Sequence, residues 1–114
     1  MDEPTALRVA CGFGGGCARL GLTCGAVTGA YMVIGLKYGK VKADDNDAKE
    51  KTYAFVQEFS ERFVERNKSL NCKELMGCDL GTPEGRVKVK EQNLVATICE
   101  KVVRDAAEIL EKIS

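Results

Sequence analysis

Cysteine is the one unusual chemical resource of this sequence: it occurs six times, at positions 11, 17, 24, 72, 78 and 99, and there is no histidine. Cys24 and Cys72 carry the most specific signal. Each directly follows a residue type that caps helices, Thr23 and Asn71, which places each thiol at the first position of a helix. The free N–H groups and positive dipole end of such a start stabilise a thiolate. Cys99 falls on the apolar seam of a C-terminal helix and can face either of the other two. Two thiols brought together can cycle between dithiol and disulfide, and three or four can hold a metal ion or an iron–sulfur cluster. In a thiol redox protein, Cys24 would be the nucleophile and Cys72 or Cys99 would resolve the disulfide. In a binding module without turnover, Cys17, Cys24, Cys72 and Cys99 would ligate an iron–sulfur cluster or Zn. In a purely structural bundle the cysteines would pack as small hydrophobes.

The remaining spacings are less informative. Cys11 and Cys17 flank a glycine run at C-x5-C, and Cys72 with Cys78 repeats that spacing. Neither fits the C-x2-C pattern of zinc and redox sites, and the absence of C-x-x-C-H rules out attachment of c-type haem. The run Gly12-Phe13-Gly14-Gly15-Gly16 precedes a helix but follows no strand and lacks the Lys-Ser/Thr of a phosphate-binding loop. Arg19, between Cys17 and Cys24, is either a source of positive charge for a thiolate or an ordinary solvated side chain.

With 114 residues the chain is expected to form one domain, 1–114, able to fold without staples. Its 17 Lys plus Arg balance 17 Asp plus Glu, which argues against nonspecific nucleic-acid binding, since that needs a broad basic face. The lack of His excludes Ser-His and Cys-His catalysis and His-ligated haem. The charge is uneven along the chain: between Pro4 and Ala43 there is no acidic residue, and Arg8, Arg19, Lys37, Lys40 and Lys42 leave that third cationic. Met1-Asp2-Glu3-Pro4 lacks the features of a secretory signal, and the apolar stretch from Cys24 to Leu36 is shorter than the ~20 residues a bilayer requires. A cytoplasmic protein is expected, where six cysteines point to redox or metal chemistry more than to structural disulfides.

The elements that must position these thiols are helices. Pro4 suits the first turn of a helix capped by Asp2, which the glycine run stops as a loop or sharp turn. Thr23 is expected to cap a second helix ending at Tyr38 before Gly39, with Gly21, Gly25 and Gly29 forming a small-residue groove for another backbone. Asp44 or Asp47 caps a long helix to Asn67 whose Tyr53, Val56, Phe59 and Phe63 repeat at three and four residues. Asn71-Cys72-Lys73-Glu74 has the form of a capping box, ended by Gly77, and Thr82-Pro83 starts a further helix. The last helix runs from about Leu94 to Ile113 on the series Val95, Cys99, Val102, Ala106, Ile109 and Ile113. Only Val87-Lys88-Val89-Lys90 alternates, and briefly. The expected fold is all-α, a small bundle of about five helices of unequal length with a glycine-rich loop before the second.

Taken together, these motifs resemble a known family. Gly16-Cys17-Ala18-Arg19-Leu20-Gly21 reads G-C-A-x-x-G, and Cys24-Gly25-Ala26-Val27-Thr28-Gly29 reads C-G-A-x-x-G. With Asn71-Cys72, Cys99, Gly35-Leu36-Lys37-Tyr38-Gly39 and the stretch from Cys78 to Gly85, the chain resembles the C-GCAxxG-C-C family over nearly its whole length. The resemblance implies a small helical protein with four characteristic cysteines acting in redox chemistry, and an unidentified redox partner in a setting often linked to membrane transporters. Cys24, Cys72 and Cys99 match three of the four cysteines. The family's first cysteine lies on a further N-terminal helix, ahead of the segment corresponding to Asp2 through Leu7, and this sequence is expected to lack it. A shortened chain, a start set downstream, or replacement of that thiol by Cys11 or Cys17 would each account for this. Loss of a covering helix predicts a homo-oligomer that hides the face left exposed.

Overall fold

A computed structural model describes residues 2–113, and among these the chain is helical apart from turns and one bridge between two extended residues. Helix α1 spans Glu3–Ala10 with Pro4 in its first turn and passes into a 3-10 turn at Cys11–Phe13. Helices α2 (Gly25–Tyr38), α3 (Asn46–Asn67), α4 (Cys72–Met76) and α5 (Pro83–Glu91) follow. A π-helical turn at Val95–Cys99 then runs directly into α6, Glu100–Ile113. The expected all-α class and unequal helix lengths are both present. No described helix is long and apolar enough to cross a membrane.

The glycine-rich segment is more ordered than a loop. Gly15 and Gly16 have φ of 66° and 69°, and Cys17, Ala18 and Arg19 continue at 67°, 50° and 67°. Five successive residues therefore trace a left-handed turn. For Cys17, Ala18 and Arg19 this conformation costs roughly 1–2 kcal/mol each, because Cβ crowds the following carbonyl. Backbone bonds hold it: Leu20 N–H donates to the Cys17 carbonyl at 3.0 Å, and Leu22 N–H to the Gly16 carbonyl at 2.8 Å. The turn is seated at Gly16. A Cβ there would lie 2.6 Å from the Cys72 Cβ and 2.7 Å from the Leu22 nitrogen, so only glycine fits.

The main core lies among α2, α3 and α6, where Val27, Ala30 and Ile34 meet Phe59 and Phe63 and then Val102, Ala106 and Ile109. Tyr31 and Ser60 share a hydroxyl hydrogen bond of 2.6 Å that ties α2 to α3. Arg66 reaches Asp105 at 3.2 Å and Glu108 at 2.7 Å, joining α3 to α6 at the surface. A second cluster gathers Cys72, Met76 and Val89 with Cys78, Leu80, Leu94 and Cys99. Ile98 packs against both clusters.

Several expected details change for local reasons. Asp45, and neither Asp44 nor Asp47, caps α3 by accepting the Ala48 N–H at 3.1 Å. Tyr53 is exposed, and Phe55 instead stacks on Tyr38 with ring centroids 4.4 Å apart. The π turn shifts the phase of the last helix, leaving Val95 exposed while Val102, Ala106 and Ile109 remain buried. Val87 to Lys90 are helical, within α5. In the supposed backbone groove, a Cβ on Gly25 would touch the Phe13 carbonyl at 3.4 Å, whereas Gly29 meets nothing within 4 Å. Gly29 lines instead an open apolar groove of about 500 Å³ between α1 and α2, with Val9, Met32, Val33 and Leu36.

This contrast between glycines can be measured. Gly16→Ala should lower stability by at least ~3 kcal/mol, combining a left-handed φ with overlap on backbone that cannot move aside. Gly29→Ala, a helix-interior change into open space, should raise it by roughly 0.5–1 kcal/mol. Urea unfolding followed by far-ultraviolet circular dichroism would rank the two variants, and equal destabilisation would contradict the packing described.

Candidate functional site

The segments carrying Cys24 and Cys72 are clasped backbone to backbone. Thr23 and Asn71 face each other as an antiparallel pair. On one side of them the Cys24 N–H donates to the Leu70 carbonyl at 2.8 Å, and on the other the Cys72 N–H donates to the Leu22 carbonyl at 2.6 Å. Side chains one step beyond a bridged pair lie on the face opposite the pair's own. Both cysteines therefore turn to the same side. The pairing continues as Lys73 N–H donates to the Gly21 carbonyl at 3.3 Å, with Gly21 in the left-handed region at φ 72°.

The bridge also explains where the helices start. Thr23 is extended in the bridge and does not cap α2; Cys24 itself occupies the N-cap, with φ −57° and ψ 137°. The Cys24 carbonyl accepts the Val27 N–H at 2.9 Å and the Thr28 N–H at 3.1 Å, and its thiol makes no capping hydrogen bond. Asn71 does cap α4, accepting the Glu74 N–H at 3.2 Å, and Ser69 Oγ accepts the Asn71 N–H at 2.9 Å where a capping box would use Glu74. Cys72 is accordingly the first residue of α4.

Cys99 arrives from a third direction at the end of the π turn, a deformation that often marks functional positions in helices. Its Sγ lies 3.6 Å from the Met76 Sδ. Together Cys24, Cys72 and Cys99 line one apolar cavity of about 280 Å³ at the seam between the two clusters, walled also by Gly16, Met76 and Val102. Cys24 and Cys72 are buried and Cys99 is half-buried, and all six cysteines are free thiols. Sequence patterns gave no sign of Met76 as a sulfur neighbour of the cavity, because its position depends on the tertiary meeting of α4 with the π turn.

Electrostatics separate the thiols. Burial pushes the Cys72 thiol up to about 11, and the neighbouring thiols of Cys24, Cys99 and Cys78 add to the rise by like-charge repulsion. Burial likewise raises Cys99, with Cys24 contributing. The expected thiolate-stabilising helix start at Cys72 is thus outweighed by desolvation, as follows from a helix of only five residues whose first side chain leaves water. Arg19 is exposed, and the charges acting on Cys72 and Cys99 are those of other thiols only.

Cys17 stands apart. Successive side chains in a helical turn diverge by about 100°, so the turn that seats Gly16 on Cys72 aims Cys17 away, and it is not among the cavity walls. The metal-ligating set of Cys17, Cys24, Cys72 and Cys99 is therefore not assembled, and among the described residues no three His, Cys, Asp or Glu side chains are grouped to hold a metal ion. The residues present do not fit Zn or an iron–sulfur cluster. Cys11 is exposed, and Cys78 is half-buried beside Cys72.

The family model described as "putative redox-active protein (C_GCAxxG_C_C)" matches residues 1–113. The chain belongs to that family. Comparison with curated proteins and with solved structures gave no match.

The raised Cys72 thiol makes stability depend on pH. In the unfolded chain this thiol ionises near its ordinary value of 9.0, and in the folded chain near 11. Its contribution is fully present below pH 9 and is lost as pH rises from about 9 to about 11. The loss should amount to roughly 2–3 kcal/mol, and Cys72→Ala should remove most of it. Unfolding free energies measured across that window check this; a wild type and variant that decline in parallel would contradict it.

Proposed function

We propose that the chain, as a member of this redox family, is a dithiol–disulfide exchange protein in which Cys24 attacks and Cys72 resolves. The observation that carries this is the meeting of Cys24, Cys72 and Cys99 on one small apolar cavity. Cys24 sits at the N-cap of α2, a fourteen-residue helix whose positive dipole end favours negative charge developing on its sulfur. The Cys24 thiolate attacks one sulfur of an incoming disulfide, and the other sulfur leaves as a thiolate. Cys72 then attacks the Cys24 sulfur, forming the internal disulfide and expelling the second thiolate, which receives the Cys72 proton. Two electrons and two protons pass to the substrate disulfide, and two protein thiols are oxidised. Desolvation keeps Cys72 protonated until the mixed disulfide lies beside it. Cys72 is preferred to Cys99 as resolving thiol because the backbone clasp fixes it directly to the Cys24 segment, whereas Cys99 is turned towards Met76.

Oxidation with diamide followed by proteolysis and mass spectrometry without reduction is expected to yield one principal intramolecular link, Cys24–Cys72. Cys24→Ser should abolish it, and Cys99→Ala should leave it in place. Recovery of both thiols unlinked, or a link independent of Cys24, would overturn the proposal.

A further inference from the structure

Cys78 is not one of the three cysteines matched to the family's characteristic thiols, yet the fold brings it to the cluster of Cys72 and Cys99. Helix α4 ends on Gly77 at φ 70°, whose N–H donates to the Lys73 carbonyl at 2.9 Å. In such left-handed endings the residue after the glycine folds back on the last turns of the helix, commonly five or six positions earlier in its contacts. Here the helix is so short that this contact falls on its first residue. Cys78 accordingly packs on the cluster of Cys72, Met76 and Val89, which Cys99 also joins. The C-x5-C spacing is the length of one minimal helix plus its glycine stop.

Cys78 also faces outward. It lines a surface groove of about 540 Å³ with Leu20, Gly21, Asn71 and Lys73, on the other side of α4 from the cavity that holds Cys24 and Cys99. Cys72 lines the inner cavity and not the groove, and Cys78, packed on the cluster that contains Cys72, is the thiol that connects the two.

We infer that Cys78 is a relay thiol that carries disulfide exchange between the buried Cys24–Cys72 couple and a protein dithiol docked in the surface groove. This rests on the exchange function proposed above. In the reductive direction the partner's thiolate must ultimately open a disulfide too enclosed for another protein to reach. The Cys78 thiolate attacks the Cys72 sulfur of the Cys24–Cys72 disulfide, forming Cys72–Cys78 and releasing Cys24 as a thiolate. One thiolate of the partner attacks the Cys78 sulfur and releases the Cys72 thiolate. The partner's second thiolate then attacks its own bridged sulfur, closing the partner's disulfide and releasing Cys78. The two leaving thiolates take up the two protons that the partner's thiols give up, so the partner loses two electrons and the chain regains its dithiol. Lys73, paired with Asp79 at 3.8 Å, lines this groove together with Glu74, and the Lys88 ammonium lies 3.5 Å from the Gly77 carbonyl at its edge.

The test compares wild type with Cys78→Ala and Cys78→Ser, each first oxidised to the internal disulfide and then reduced either by dithiothreitol or by reduced thioredoxin as the protein dithiol probe. Both variants should form the Cys24–Cys72 link normally and be reduced by dithiothreitol within about twofold of wild type, since a small dithiol can enter the cavity. Reduction by thioredoxin should fall at least tenfold, and a thioredoxin lacking its second cysteine should be trapped on Cys78 of the wild type. Equal thioredoxin rates in wild type and variants, trapping on any other cysteine, or failure of thioredoxin to reduce a wild type that dithiothreitol does reduce would overturn the relay alone. Failure of wild type and variants alike to form the internal link would instead overturn the exchange function, and the relay with it.

Discussion

The structure depends on one exchange of backbone hydrogen bonds, in which the amides of Cys24 and Cys72 are each held by the segment that carries the other. An amide–carbonyl bond contributes only about 1 kcal/mol net, but this pair fixes register. It sets two residues forty-eight positions apart in sequence on the same side of a bridge, at the starts of two helices. Gly16 makes the arrangement possible, since the left-handed turn can settle against Cys72 and Leu22 only where no Cβ intervenes. The strain accepted at Cys17, Ala18 and Arg19 is therefore the local cost of bringing the turn into contact with the thiols.

From that constraint follows a division of labour among chemically identical groups. Cys24 stands at the N-cap of a long helix, whose positive dipole end lies beside it. Cys72, first in a helix of five residues, has the same formal advantage and loses it to desolvation. Cys99 reaches the cavity only because a π turn brings its segment there, and its proton is directed to the Met76 sulfur. The cavity sits where two apolar clusters meet, which is also where a small domain can most cheaply leave space unfilled.

What could be read from sequence was what short-range bonding decides. Asn71 and Thr82 cap the helices expected of them because a side-chain oxygen three residues before an amide needs no tertiary help. Gly77 stops α4 for the same kind of reason. Phe59 and Phe63, and Val102, Ala106 and Ile109, were legible as core faces from their helical period. Thr23 failed as a cap because its backbone was claimed by Asn71, forty-eight residues further along the chain and invisible to local patterns. The glycine run signalled freedom at positive φ, but nothing in the types of Cys17, Ala18 and Arg19 announced that they would share it. The meeting of Cys24, Cys72 and Cys99 was legible only through the family resemblance and the shared helix starts, and the exclusion of Cys17 from their cavity was not legible at all.

The most direct test of a coupled Cys24–Cys72 centre is equilibrium titration of the reduced protein in glutathione buffers, counting at each potential the thiols lost and any glutathione bound. The account predicts that Cys24 and Cys72 disappear together in a single two-electron transition without retained glutathione, and that Cys99→Ala leaves that transition in place. Independent loss of the two thiols, each as its own mixed disulfide with glutathione, would contradict it.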